Sequence, residues 1–139
     1  MMKRILGLGA ALLVALGAGW AWGASGRADI NRALQIAELR NGLLEGRAAV
    51  LDARLDIYSV NFGDASRHLE AARSALRAAS ARLKGLARQE DVTRLESALT
   101  RIDEAQRKAG QLNQDANALA ADAAKMIDEG LGNEQASAR

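Results

Sequence analysis

The chain has 139 residues, of which 49% are hydrophobic but only 3% are aromatic, and it contains no proline and no cysteine. The absence of cysteine excludes disulfides, thiolate metal sites and a lipid-modified N-terminal cysteine. With 19 basic and 17 acidic residues, the formal net charge is +2. Because the apolar content is mostly Ala and Leu, which are strong helix formers, we predict an all-α protein.

The N-terminal region has the pattern of a membrane segment. Residues 5–24 contain no charged residue and follow a short basic start. Twenty helical residues cover roughly 30 Å, the hydrocarbon thickness of a bilayer. Trp20 and Trp22 lie near the far end of this stretch, and indole rings favour the headgroup layer. The sequence therefore predicts a transmembrane signal-anchor over residues 1–26, with both tryptophans at the membrane interface.

The basic residues Lys3 and Arg4 predict the orientation of this anchor. The first positive cluster normally stays in the cytoplasm, so we expect an inner-membrane protein with a cytoplasmic N-terminus and a periplasmic remainder. Small residues from Ala21 to Ser25 also fit a cleaved signal peptide. Cleavage is the alternative, and it would release a soluble periplasmic adaptor or chaperone-like helical protein.

Beyond the anchor, apolar residues recur at alternating steps of three and four, which is the coiled-coil pattern. We predict helices over about residues 29–61, 64–87 and 91–129, followed by a flexible tail at 130–139. The predicted fold is one transmembrane helix followed by an extracytoplasmic helical hairpin or three-helix coiled-coil-like bundle over residues 27–129.

The first predicted helix carries a long apolar seam. It consists of Ile30, Leu34, Ala37, Asn41, Leu44, Ala48, Leu51, Leu55, Tyr58 and Phe62. Asn41 in this seam is either a buried polar residue that fixes coiled-coil register or the site of a break. The second interpretation rests on Gly42 and Gly46, which weaken a helix and allow a kink.

The next two predicted helices have seams of their own and opposite charge. The seams are Leu69, Ala72, Leu76, Ala79, Leu83 and Leu86, then Leu95, Ala98, Ile102, Ala105, Ala109, Leu112, Ala116, Leu119, Ala123 and Met126. Residues 64–88 hold six basic and two acidic residues, whereas residues 89–139 hold ten acidic and six basic residues. We therefore expect these helices to pack as an antiparallel pair, stabilised mainly by seam burial because exposed ion pairs contribute only ~0–1 kcal/mol each.

The turn of the predicted hairpin lies at Asn61, Phe62 and Gly63. Gly63 suits the left-handed residue that closes a helix, and Asp64 suits the N-cap of the next one. We therefore assign Gly63 and Asp64 to the hairpin turn.

The hairpin over about residues 47–80 resembles a single tetratricopeptide repeat. Phe62 is the aromatic residue of the turn, Ala65 lies where the helices approach, and Leu69 and Ala72 occupy the large and small apolar positions of the second helix. The resemblance implies a helix-turn-helix unit. Such repeats bind peptides or partner subunits in a groove when several are stacked, and this sequence contains one hairpin of this kind.

No combination of residues predicts catalysis. His68 is the only histidine and has no spaced ligand set around it, so we predict no catalytic, cofactor-binding or metal-binding residues, and no enzyme. Tyr58, Asn61 and Phe62, with His68 nearby, are the candidates for partner interaction. The basic face of the second helix fits contact with lipid, but it lacks the interleaved aromatic residues that stack nucleic-acid bases.

These observations predict a membrane-anchored, non-catalytic accessory or scaffolding subunit. The anchor contacts membrane lipid, and the helical seams pack on the protein subunits of a larger membrane complex or mediate a homo-oligomer. We expect neither a nucleic acid nor a small-molecule substrate among its partners, and no cofactor.

Overall fold

The computed structural model describes the backbone of residues 2–137 and the side chains of residues 29–133. Within residues 2–137 the chain forms four α-helices: α1 (Met2–Tyr58), α2 (Phe62–Gly85), α3 (Gln89–Gly110) and α4 (Ala116–Ser137). The all-α prediction is confirmed. The chain divides into two units, Met1–Ile36 and Ala37–Arg139. The second unit contains α2, α3, α4 and the C-terminal part of α1.

The second unit is an up-and-down four-helix bundle. Helix α2 packs against α3, and α3 packs against α4. Side-chain contacts place the C-terminal part of α1 between α2 and α4. Residue numbers rise along α1 while those of the contacted residues in α2 and in α4 fall, so α1 is antiparallel to both neighbours. These contacts join Glu38 to Arg82, Asp56 to His68, Arg47 to Asp128 and Arg54 to Asn117.

The core follows the seams predicted for α2 and for most of α3. The buried seam residues of these two helices are Leu69, Ala72, Leu76, Ala79, Leu83, Leu95, Ala98, Ile102, Ala105 and Ala109. Large side chains such as Leu76 and Ile102 each contribute about 1.5–3 kcal/mol when buried. The alanines between them let the helices approach closely. Helix α4 adds a buried face of Ala116, Ala120, Ala123, Ala124 and Ile127.

The seam predicted for α1 is wrong. Among the described side chains of α1, from residue 29 onward, the buried residues are Leu39, Leu43, Gly46, Val50, Ala53 and Ile57. Most of the predicted seam faces outward instead, with Leu55 68% and Tyr58 80% exposed; its exceptions are Leu51, which is half-buried, and Phe62, which is buried at the start of α2. At about 100° of rotation per residue, the two sets lie roughly 150° apart around the helix. Both repeat at steps of three and four, so periodicity alone could not decide which one is buried.

Helix α1 continues through Gly42 and Gly46, and Asn41 is exposed on it. A Cβ atom on Gly46 would lie 2.6 Å from Leu76 Cδ2, whereas one on Gly42 would lie 3.6 Å from Ala79 Cβ. Gly46 therefore lets Leu76 of α2 pack directly on the backbone of α1. Both interpretations of Asn41 are therefore wrong for the bundle, because the helix does not break at these glycines and Asn41 is not buried.

Helices α1, α2 and α3 end in the same way, with a residue in the left-handed region: Val60 (φ 60°), Ala87 (φ 56°) and Leu112 (φ 55°). At the end of α1, the amide of Asn61 donates to the carbonyl of Asp56 at 2.8 Å, and the amide of Val60 donates to that of Ile57 at 3.0 Å. This is the Schellman pattern of helix closure. The same two hydrogen bonds recur after α2 and α3.

The assignment of Gly63 and Asp64 to the hairpin turn is therefore wrong. Helix α1 ends at Tyr58, not 61, and Val60 takes the left-handed conformation that the sequence suggested for Gly63. Asn61 is the N-cap of α2, and its Oδ1 accepts a hydrogen bond from the amide of Asp64 at 3.4 Å. Gly63 and Asp64 lie in the first turn of α2.

The single helix predicted over residues 91–129 is also wrong, because the chain reverses direction between Gly110 and Ala116. Leu112, which was assigned to the seam, lies in this turn and is 71% exposed. Ala109 and Ala116 are both buried and lie one heptad apart. The apolar pattern therefore passes through the turn without a change of register. For this reason the heptad pattern gave no indication of a turn. The bundle has four helices instead of three.

The start of the first helix and the end of the last helix also differ from the boundaries predicted from the sequence. Helix α1 begins at Met2 instead of near residue 29. Helix α4 extends to Ser137, where a tail from residue 130 was expected, and Leu131 packs against the core. The side chains of Trp20 and Trp22 lie outside the described residues. Among the described residues, no helix is long and apolar enough to cross a membrane.

Candidate interaction surface

An apolar stripe runs along the outward face of α1 in the four-helix bundle. We call it the outer stripe, and its members are Ala37, Asn41, Leu44, Ala48, Leu51, Leu55 and Tyr58. Leu44 is 45% exposed, Leu55 and Tyr58 are more exposed still, and Leu51 is half-buried. Leu51 packs partly against the core, whereas Leu44, Leu55 and Tyr58 do not. Large exposed apolar side chains aligned on one helix face are typical of an interaction site. In the sequence, the same spacing continues to Leu34 and Ile30, which are also exposed.

Charged residues of opposite sign border the outer stripe. One edge carries Arg40, Arg47 and Arg54, and the other carries Glu38, Glu45 and Asp52. These are the positions that flank the apolar seam of a coiled coil and set the choice and direction of its partner. The outer stripe therefore has both the apolar centre and the charged borders of a helix-binding face.

Some of these border residues bond to neighbouring helices. Arg47 forms an ion pair with Asp128 of α4, and this hydrogen bond raises the pKa of Arg47. Arg54 Nε donates to Asn117 Oδ1 at 2.9 Å, and Arg82 Nε of α2 donates to Glu38 Oε2 at 3.2 Å.

Three border residues remain open: Arg40, Glu45 and Asp52 are exposed and form no ion pair within the described part of the chain. They are available to a partner.

The C-terminal half of the outer stripe forms one wall of a groove. The groove is lined by Leu51, Arg54, Leu55, Tyr58 and Asn117, so it lies between α1 and α4. The hydrogen bond between Arg54 and Asn117 joins the two helices there. A partner helix on the outer stripe would cover this groove and bury the Leu55 side chain.

The four residues predicted to contact a partner are separated by the structure. Tyr58 belongs to the outer stripe, whereas Phe62 is only 7% exposed and packs in the core. Asn61 caps α2. His68 Nδ1 lies 2.7 Å from Asp56 Oδ2 and links α2 to α1. Tyr58 alone is therefore placed on the outer stripe, and the other three hold the α1–α2 hairpin together.

The basic residues of α2 bond to carboxylates of the bundle. Arg73 joins Glu70 of its own helix to Asp103 of α3, and Lys84 Nζ lies 3.1 Å from Glu96 Oε1 of α3. The hydrogen bond from Arg73 lowers the pKa of Glu70 below its ordinary value. These contacts confirm that α2 and α3 pack with complementary charge. They also engage much of the basic face that had suggested lipid contact.

The described side chains offer little for chemistry. None of their groups of His, Asp and Glu could hold a metal ion. A cavity at one end of the core, between Leu39, Leu83, Leu95 and Ile127, has a volume of about 20 Å³, which holds at most one water molecule or so. Nearby, Asp91 accepts hydrogen bonds from Arg88 Nε at 2.7 Å and from Arg94 at 3.0 Å. This arrangement neutralises the carboxylate, and it suits a structural role.

Comparisons with protein-family models, curated proteins and solved structures gave no match to the chain. The resemblance of residues 47–80 to a tetratricopeptide repeat therefore stays a prediction.

The sequence contained the outer stripe but assigned it to the core. Its heptad spacing was visible, and so were the charged residues on both sides. The sequence also held a signal that this stripe is exposed. A second set of residues, from Leu39 to Ile57, has the same spacing and includes Gly46, whose missing side chain allows another helix to pack closely.

Proposed function

We propose that this chain is a non-catalytic, membrane-anchored scaffolding or accessory subunit that associates with helical partners through the outer stripe. The observation that carries the proposal is the exposure of Leu44, Leu55 and Tyr58 on one face of α1. A face of this kind costs free energy in water, and binding a partner recovers it at roughly 25 cal/mol per Å² of apolar area buried.

Apart from Leu51, which packs partly against the core, the outer stripe takes no part in the core of the bundle. Helix α1 contributes Leu39, Val50 and Ile57 to that core from its opposite side, and each is fully buried. The two apolar faces of α1 therefore support two roles, one in folding and one in association.

The proposed membrane anchor is supported by the amino-acid sequence. Residues 5–24 are uncharged and long enough to span a bilayer, and the basic residues before them favour a cytoplasmic N-terminus. We place the protein in the inner membrane with its bundle in the periplasm. The partners would be lipid around the anchor and protein subunits around the outer stripe.

The proposed association is tested with charge substitutions. We expect the full-length protein in mild detergent to have a native mass larger than one chain, and Leu44→Glu combined with Leu55→Glu to abolish this assembly. Leu112→Glu is the matched control, because Leu112 is at least as exposed as Leu44 and Leu55 but lies in the α3–α4 turn. An assembly of unchanged mass in the double variant would overturn the proposal.

The proposed anchor is tested by intact mass spectrometry of the protein from its native membranes after an alkaline wash. We expect the full-length mass in the membrane fraction. A product shorter by about two dozen residues in the wash would instead establish the released adaptor.

A further inference from the structure

We propose that the outer stripe binds a second copy of this chain, and that two α1 helices form a parallel, in-register, two-stranded coiled coil. This inference rests on the proposed function and names the partner of the same surface. It follows from the order of residues along the outer stripe and from the charges at its borders.

The outer stripe fits one heptad frame throughout the bundle. Asn41, Ala48 and Leu55 occupy the first apolar position, called a, and Ala37, Leu44, Leu51 and Tyr58 occupy the second, called d. A single Asn at an a position specifies register and oligomeric state in coiled coils, at a cost in stability. The exposure of Asn41 therefore has a physical use, because its amide would meet the same amide of the second copy in a parallel pair.

The border charges complement each other only when the two helices are parallel. In that arrangement the residue just before an a position on one helix faces a residue numbered five higher on the second helix, which comes just after a d position. Arg40 would face Glu45 of the second copy, and both are open. Arg47, which also pairs with Asp128 of its own chain, would face Asp52 of the second copy. Two-fold symmetry repeats both pairs on the other side of the interface.

An antiparallel pair would place like charges together. In that arrangement each border lies against the same border of the second copy. The Arg40–Arg54 border would face arginines, and the Glu38–Asp52 border would face carboxylates. Like charges at such positions are destabilising by about as much as opposite charges stabilise. The charge pattern of α1 therefore selects the parallel direction, which is also the direction that two chains inserted alike in one membrane would share.

The dimer would be weak in dilute solution. Ala37 and Ala48 bury little surface at the seam, and Asn41 lowers its stability further. Confining two chains to one membrane raises their effective concentration above that in dilute solution. A weak seam is sufficient under those conditions, and it keeps association dependent on the anchor.

The absence of cysteine from the chain allows a direct test. Leu44→Cys and Leu55→Cys would be made separately in the full-length protein and oxidised in native membranes. Ala78→Cys is the control, because Ala78 is exposed on α2, away from the outer stripe. We expect both stripe variants to form disulfide-linked dimers of this chain, and we expect the control variant to form none.

Mixing the two stripe variants tests direction and register. A parallel, in-register pair links position 44 to 44 and position 55 to 55. It does not link 44 to 55, because about 16 Å of helix separates them. Cross-links between 44 and 55 that exceed those within each variant would overturn the parallel arrangement.

A charge exchange tests the specificity of the pairing. We expect Arg40→Glu alone, and Glu45→Arg alone, to weaken dimerisation about tenfold, because each change replaces two attractive pairs by two repulsive ones. The variant with both changes should recover wild-type dimerisation. Single and double variants that dimerise equally would overturn the assignment of these pairs.

The outcomes separate this inference from the proposed function. Cross-linking of both stripe cysteines to a protein of different mass would overturn the self-pairing and leave the scaffold role in place. Stripe cysteines that form no dimer would overturn the self-pairing. The native mass of the Leu44→Glu and Leu55→Glu double variant then decides the scaffold role, because a partner without a cysteine is not cross-linked.

Discussion

Gly46 faces Leu76 across the interface between α1 and α2, and Gly42 faces Ala79 one turn away. Each glycine weakens an isolated helix by about 1 kcal/mol relative to alanine. Only Gly46 has a packing reason to be there, because a Cβ at that position would overlap the leucine side chain. The two residues look alike in the sequence, and the facing helix distinguishes them.

We therefore expect Gly42→Ala and Gly46→Ala to differ in sign. Gly42→Ala should raise the free energy of unfolding by up to about 1 kcal/mol, because the new methyl group meets Ala79 at an ordinary contact distance. Gly46→Ala should be about 1–2 kcal/mol less stable than Gly42→Ala, since Leu76 must leave its position. Urea unfolding followed by circular dichroism measures both, and equal stabilities would contradict the close contact at Gly46.

Val60 is a β-branched residue in the left-handed region, where such residues are strained. It is also 61% exposed, so its side chain contributes little packing. We expect Val60→Gly to raise the free energy of unfolding by about 0.5–1 kcal/mol, the strain relief being partly offset by the greater freedom of glycine in the unfolded chain. Ser59→Gly, one residue earlier, relieves no strain and should be destabilising. A loss of stability in both variants would contradict the left-handed turn at Val60.

At the scale of the element, the connection between α3 and α4 shows how a continuous apolar pattern can hide a turn. The residues from Ala109 to Ala116 keep heptad spacing, and Leu112 between them fits the seam. The reversal depends on the left-handed conformation of Leu112 and on the Asn113 side chain, whose Oδ1 accepts a hydrogen bond from the amide of Asp115 at 2.8 Å. Since no proline marks the site, its local sequence resembles the middle of a helix.

Ile102 and Leu112 are both large residues of the predicted seam, but they have opposite environments in the structure, at 0% and 71% exposure. We expect Ile102→Asp to destabilise the bundle by about 4 kcal/mol or more, because it places a charge in the core. Leu112→Asp should be nearly neutral, since Asp tolerates the left-handed conformation better than Leu. Thermal unfolding followed by circular dichroism compares them. A Leu112→Asp variant as unstable as Ile102→Asp would show that α3 and α4 form one helix.

At the scale of the whole molecule, charge contributes to the pairing of α2 with α3, and apolar burial dominates it. Arg73 connects carboxylates of both helices, and its hydrogen bond lowers the pKa of Glu70. A carboxyl group whose pKa is lower in the folded chain than in the unfolded chain stabilises the fold above its unfolded pKa. This stabilisation is lost as the pH falls through the folded pKa.

We therefore expect stability to decline as the pH falls below about 4.5, and Glu70→Gln to reduce that decline. At neutral pH the variant should be less stable than the wild type, because Arg73 loses a charged partner. At pH 3 the difference should be smaller. Urea unfolding at both pH values gives the comparison, and a difference that stays constant between them would contradict the role of Glu70.

The sequence by itself determined the helical class, the core seams of α2 and most of α3, and their antiparallel, charge-complementary pairing. Composition and periodicity report these features directly, because an apolar stripe of one helix must be buried somewhere. Only the tertiary structure decided which face of α1 is buried and where the chain turns after α3. Two faces of α1 share one spacing, and the choice depends on the fit between Gly46 and Leu76, a contact between residues thirty positions apart. That choice leaves Leu44, Leu55 and Tyr58 outside the core, and this exposure carries the proposed role of α1 in association.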